Sequence, residues 1–219
     1  MKETDIMMNN AISRSNGTQA TAQTTPQSST DHANSSHSTG VGDSGRWSTS
    51  RIALYALFVA LAIVTSFLEI PLFPPAPWLK YDPSGIICLI AGFAFGPSAA
   101  ATISILGFLP HMFTNPWGAL MAILVSLALS VPAAYIYRRH RTRKGALISI
   151  LCSIVIALIA AIIGNLIVTP LYANMSVEEV AQMIIPILLP FNLIKFALHA
   201  VITSLIYKPI VALVDGSAR

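Results

Sequence analysis

The chain has 219 residues, 54% of them hydrophobic and 10% charged, with a formal net charge of +4. A soluble domain carries about 25% charged residues, so this composition excludes a water-soluble globular protein over most of its length. The positive balance does not point to nucleic acid, because the basic residues stand at the ends of apolar runs, where membrane topology places them.

From the N-terminus, residues 1–47 read as a disordered cytoplasmic tail. They are rich in Ser, Thr, Asn, Gln and Gly, with almost no aliphatic side chain after Ile12. Such a segment cannot bury enough apolar surface to offset its ordering entropy. It is not read as a signal peptide, since Met1–Asn10 has no apolar core. Residues 48–219 read as one all-α transmembrane domain of six helices with both termini cytoplasmic. No Asp, Glu, Lys or Arg occurs from Gly85 to Tyr137 or from Gly145 to Val177. Both runs exceed the roughly 20 apolar residues that cross a bilayer.

The first span is predicted at 52–68. A loop at 69–83 follows, rich in proline and aromatic residues. The second and third spans fall at 84–95 and 98–113, divided by the turn signal Gly96-Pro97. The fourth covers 117–137. The dense basic run Arg138, Arg139, Arg141, Arg143 and Lys144 is then a cytoplasmic loop. Arg46 and Arg51 mark a cytoplasmic start, so an even number of spans lies between, which favours four over three. The fifth span is 145–172. Ser176-Val-Glu-Glu179 matches a capping box and opens a short helix leading into the sixth span, 183–214. The loops at 69–83, 114–116 and 173–182 face outward.

Within the spans, the polar residues are the informative ones. Lys195 stands three residues after Asn192, so the two share a helix face. Lys195 either snorkels to the outer interface or points into the bundle. Asn165, in the outer half of the fifth span, either bonds a neighbouring helix or joins Asn192 and Lys195 in a ligand pocket at similar depth. The first outer loop offers Phe73, Trp78 and Tyr81, stiffened by Pro71, Pro74, Pro75 and Pro77. These aromatics can stack on a flat ligand or form an interfacial belt. His111 and His199 lack metal-ligand spacing and read as structural or interfacial. Cys88 and Cys152 read as buried small hydrophobes, with no disulfide or metal site implied. There is no phosphate-binding Gly-rich loop ending in Lys-Ser/Thr, no His-Glu-x-x-His and no paired acidic cluster within a span. Neither an ATP-binding chain nor a metal-dependent enzyme is supported.

Three stretches carry a resemblance: Leu79-Lys-Tyr-Asp-Pro-Ser84, Leu89-Ile-Ala-Gly-Phe-Ala-Phe-Gly-Pro97 and Ile187-Leu-Leu-Pro-Phe-Asn-Leu-Ile-Lys195. Together they resemble the substrate-binding S component of energy-coupling factor (ECF) transporters, in its riboflavin-type branch, over roughly residues 50–213. The resemblance implies a six-helix, multi-pass protein of the cell membrane, surrounded by lipid. It implies a non-enzymatic subunit of an ATP-driven vitamin importer that captures riboflavin, as transported ligand rather than cofactor, from the extracellular side. Asn165, Asn192 and Lys195 would give polar contacts. Phe73, Trp78, Leu79, Tyr81 and Asp82 of the first loop would complete the substrate site. Ala56 and Ala60 match the Ala-x-x-x-Ala spacing by which family members dock on a transmembrane coupling protein, itself driven by two ATPase subunits. One departure stands out: riboflavin-type members commonly carry a lysine late in the third helix, and Ile105-Leu-Gly-Phe-Leu-Pro-His111-Met-Phe has none. Alternative readings are an S component for another vitamin or precursor, an intramembrane lipid-modifying enzyme, or a scaffold whose tail recruits partners.

Overall fold

The structure is a computed structural model that describes residues 49–217 except 73, 75, 77 and 78. The tail at 1–47 and the aromatic residues Phe73 and Trp78 therefore lie outside the described residues. Helix α1 spans Thr49–Ser66. Two short strands, β1 (Ile70–Pro71) and β2 (Lys80–Tyr81), pair antiparallel with Ile70 opposite Tyr81. Helices α2 (Ser84–Phe95) and α3 (Pro97–Phe108) follow, and a 3-10 turn at Leu109–Phe113 extends α3. Then come α4 (Pro116–Arg139), α5 (Arg143–Ala173) and α6 (Val177–Met183). A wide π turn at Ile184–Leu188 joins α6 to α7, Leu189–Ser217, in one continuous helical run. This is an all-α membrane protein of six helical segments, counting that run as the sixth.

The boundaries follow local chemistry. Gly96 has φ +97, a left-handed conformation that glycine alone adopts freely, and Pro97 starts α3 where its missing N–H is not needed. Asn115 caps α4 and Thr142 caps α5, each accepting the backbone N–H three residues on. Ser176 and Glu179 form the expected capping box at the start of α6. The expected outer loop at 69–83 is pinned by the two-strand ladder, a feature that a two-residue pairing leaves no periodicity to announce.

Among the described residues, four helical runs are long and apolar enough to cross a membrane: α1, α4, α5 and the 38 residues from Val177 to Val214. Helix α5, at 31 residues, is about 46 Å long against a hydrocarbon core of about 30 Å. Its outward face is Ile148, Leu151, Val155, Ile159, Ile163 and Ile167, all exposed. Its inward face is mostly small, with Ala146, Ser149, Ser153, Ala157, Ala161 and Gly164 buried beside Ile150 and Val168. Large apolar residues outside and small ones inside invert the soluble pattern and suit close helix packing in lipid. The 12-residue α2 is different. At about 18 Å it is short, and it is buried on nearly every side, including Ile86, Cys88, Leu89, Ile90 and Phe93. It packs against α1, α3, α4 and α7 at the centre of the bundle. Hydroxyls add interhelical bonds: Ser126 of α4 donates to Ser104 of α3 at 2.9 Å, and Ser104 and Ser130 lie 3.1 Å apart. Cys88 is buried as expected, while Cys152 is exposed on the outer face of α5 and is not the buried hydrophobe its apolar setting suggested.

Candidate binding cleft

A cleft of about 250 Å³ opens between the first loop, the 3-10 turn and helices α4, α5 and α7. Small-ligand sites run from roughly 300 to 1,000 Å³, so this cleft is near the small end of that class. Helix α7 gives it Phe191, Asn192 and Lys195, and α5 gives it Ala161, Asn165 and Tyr172. Both sets repeat at helical spacing, so one face of each helix turns inward. Helix α4 lines the wall with small residues, including Gly118, Ala119 and Ala122. Leu79, Lys80 and Asp82 close it from the loop, with Glu69 from the other end of the loop.

The polar side chains are held by their own helices. Asn192 donates one amide hydrogen to the Leu188 carbonyl at 2.8 Å and is buried. That carbonyl belongs to the π turn, where Pro186 removes a backbone donor. Asn165 donates to the Ala161 carbonyl at 2.8 Å and accepts from the Thr169 hydroxyl at 3.1 Å. An amide offers two donor hydrogens and a two-lone-pair oxygen, so each asparagine keeps capacity in a fixed orientation.

Lys195 is neither a snorkelling residue nor a free cation. Its ammonium donates to Asp82 Oδ2 at 2.8 Å, with side-chain exposures of 15% and 12%. The Ser84 hydroxyl donates to the other carboxylate oxygen, and His199 Nε2 lies 3.0 Å from the Asp82 carbonyl. Burial pushes the Asp82 carboxyl up. The Lys195 charge, its hydrogen bond and that of Ser84 outweigh burial and hold it below the ordinary value. Asp82 is thus an anchored anion that spends both oxygens on internal donors.

His199 is buried against Tyr81, with ring centroids 5.3 Å apart. A β-carbon at Gly85 would fall 2.5 Å from His199 Cε1, so only glycine lets the ring approach α2. Tyr81, expected to face a ligand, turns away: successive strand residues point to opposite faces, and Lys80 faces the cleft. Burial, and next the Asp82 charge, push the Tyr81 phenol up.

Five of the expected site residues therefore meet at one cleft: Leu79, Asp82, Asn165, Asn192 and Lys195. Phe73 and Trp78 fall outside the described residues. Ala56 and Ala60 lie apart, exposed on α1. Glu69, Lys80, His111 and Phe191 also line the cleft, and sequence reasoning did not single them out as site residues. For the Asp82–Lys195 pair a signal existed: Asp82 is the only acidic residue between Glu69 and Glu178. A lysine within a span needs a carboxylate partner. His111 sits at the cleft with Nε2 2.9 Å from the Ser66 hydroxyl and its ring stacked on Phe67 at 4.3 Å.

The profile of the family described as ECF transporter, substrate-specific component, matches residues 50–207. The riboflavin transporter RibU of Staphylococcus aureus is 26% identical over 167 residues, covering 72% of this chain and 88% of that protein. RibU of Streptococcus thermophilus is 27% identical over 175 residues, covering 74% and 83%. The riboflavin transporter FmnP of Bacillus subtilis is 23% identical over 171 residues, covering 72% and 90%. A solved S component of a bacterial ECF transporter matches with a TM-score of 0.65 and 25% identity, covering 74% of this chain and 96% of that one.

Proposed function

The chain belongs to the substrate-specific components of ECF transporters, and on that footing we propose that it captures riboflavin in the cleft between the first loop, α5 and α7. The observation that carries this reading is the convergence of Asn165, Asn192 and Lys195 on one cleft from two helices. The relatives named above as riboflavin transporters support the choice of ligand.

Riboflavin is a flat ring with one edge of alternating donors and acceptors, an apolar edge opposite and a hydroxylated chain. Fixed amides serve the alternating edge, since each can both donate and accept. Lys195 carries three hydrogens and commits one to Asp82, so two remain for a ring carbonyl or a chain hydroxyl. Asp82 acts as a positioning residue: it holds the ammonium in place, and Ser84 and His199 hold Asp82. Phe108 and Phe191 give the cleft aromatic surface. Leu79 adds an apolar contact from the loop.

The protein lies in the cell membrane with the loop side outward. It docks on a transmembrane coupling protein through the exposed Ala56–Ala60 face of α1, where small side chains allow close backbone approach. Two ATPase subunits then supply the driving force, and the chain itself performs no covalent chemistry on its cargo. Purification in detergent tests the ligand. The protein is expected to carry a yellow chromophore that is released unchanged, with the absorbance of riboflavin, on denaturation. Release of a different vitamin from the same preparation would contradict the assignment.

A further inference from the structure

The end of the bundle opposite the cleft carries charge that the fold itself does not neutralise. Helix α4 ends and α5 begins there. Arg138, Arg139, Arg141, Arg143 and Lys144 put five cations into seven residues, all of them exposed. No Asp or Glu occurs from Pro83 to Val177, so helices α2 to α5 hold no counter-charge. Among the described residues, the two ion pairs both lie at the other end, at the first loop. By position, α1 adds Arg51 at this end, and α7 adds Lys208 and a single acid, Asp215. The balance stays strongly positive. We infer that the α4–α5 turn is a binding site for the headgroup of an anionic phospholipid in the leaflet opposite the cleft. The inference does not depend on which vitamin the cleft holds.

Clusters of roughly four to eight Lys and Arg beside a membrane span attract anionic lipid, and the geometry here favours a lipid over a soluble anion or an acidic protein. Lys144 is followed on α5 by Leu147, Ile148 and Leu151, at spacings of three, four and seven that share one helix face. These three are exposed at 49%, 56% and 59%. One face therefore reads cation first and apolar strip next, the order of a headgroup and its acyl chains. A soluble phosphate has no use for the strip. The turn that holds the cations is tight. The Thr142 hydroxyl accepts the Gly145 N–H at 2.9 Å, and a β-carbon at Gly145 would fall 2.0 Å from the His140 carbonyl oxygen. On α4, the Arg139 guanidinium donates to the Tyr135 hydroxyl at 3.0 Å and lies 5.2 Å from the ring centre. Tyrosine sits at the headgroup level of a membrane, so Arg139 is held at that depth. A guanidinium has five N–H donors, and those left over match a phosphate in a bidentate fork.

The test follows Tm of the full chain in a neutral detergent as phosphatidylglycerol or phosphatidylcholine is added. A ligand that binds only the folded state raises Tm by mass action. Phosphatidylglycerol at about ten times its Kd is expected to raise wild-type Tm by about 3–5 °C. Phosphatidylcholine, with no net charge, should raise it far less, and about 0.5 M salt should remove most of the difference. Arg139→Gln with Arg143→Gln and Lys144→Gln leaves Arg138 and Arg141 to hold the orientation of the chain. Its response to phosphatidylglycerol is expected to fall to that of phosphatidylcholine. Arg139→Lys with Arg143→Lys keeps the charge and should keep most of the response. Equal shifts of wild type with the two lipids overturn the site, and that comparison needs no variant. An undiminished response in the triple Gln variant places the lipid elsewhere and also overturns it. A shift of the same size from glycerol phosphate, which has no acyl chains, assigns the turn to a soluble phosphate and overturns the lipid.

Discussion

The Lys195 ammonium lies 2.8 Å from Asp82 Oδ2, joining α7 to the end of the first loop across 113 positions of sequence. This ion pair places the one lysine of the α7 face in the cleft and fastens the loop to the bundle. Removing one partner of a buried pair costs about 3 kcal/mol or more, because the other charge is left uncompensated. Asp82→Asn is therefore expected to lower Tm in detergent markedly. Asp82→Asn with Lys195→Met should recover much of the loss. Additive losses in the double variant would contradict the pairing.

The same pair sets an acid sensitivity. Asp82 is held below its ordinary value of 3.8, so its carboxyl titrates lower in the folded protein than in the unfolded chain. Its stabilisation is then fully present above about pH 4 and is lost as pH falls through the lower folded value. Wild-type Tm is expected to drop as pH falls below about 4 by more than that of Asp82→Asn. Parallel curves for the two proteins would show that the carboxylate contributes nothing there.

Gly85 offers a steric test of the support behind Asp82. A methyl group there would meet His199 at 2.5 Å, and overpacking of this kind costs about 1–3 kcal/mol. Gly85→Ala is expected to lower both Tm and riboflavin affinity. Adding His199→Ala removes the clash and should restore part of the Tm but not the affinity, since the Asp82 carbonyl loses its partner. If Gly85→Ala behaves as wild type, the ring does not occupy that space.

On α1 the expectation is a separation of functions. Ala56→Trp with Ala60→Trp should abolish uptake and co-purification of the coupling protein while leaving riboflavin binding intact. Normal uptake in that variant would place the docking face elsewhere.

Much of this organisation was legible because lipid leaves polar residues few places to go. The apolar runs marked the six segments, Gly96-Pro97 divided α2 from α3, and the spacing of Asn192 and Lys195 put both on one face of α7. What the sequence did not announce was partnership. For Asp82 and Lys195 the scarcity of carboxylates was a hint, but the Glu69–Lys80 pair depends on where the loop lands, and loop register has no helical period to reveal it. Tyr81 illustrates the same limit: its aromatic character suggested a ligand contact, but the alternation of a two-residue strand turned it toward His199. The inward-facing serines of α3 and α4 were equally silent, because single hydroxyls in an apolar run match many patterns.

Whether Asn165, Asn192 and Lys195 form a riboflavin site is decided by titrating the purified chain and following flavin fluorescence. A hydrogen bond from a charged group contributes about 1.5–3 kcal/mol, so Lys195→Ala is expected to weaken binding roughly 10- to 100-fold. Asn192→Ala should cost less, about 0.5–1.5 kcal/mol per neutral bond lost. Saturable quenching in wild type with these graded losses is expected. Wild-type binding that Lys195→Ala leaves unchanged, or no saturable quenching at all, would contradict it.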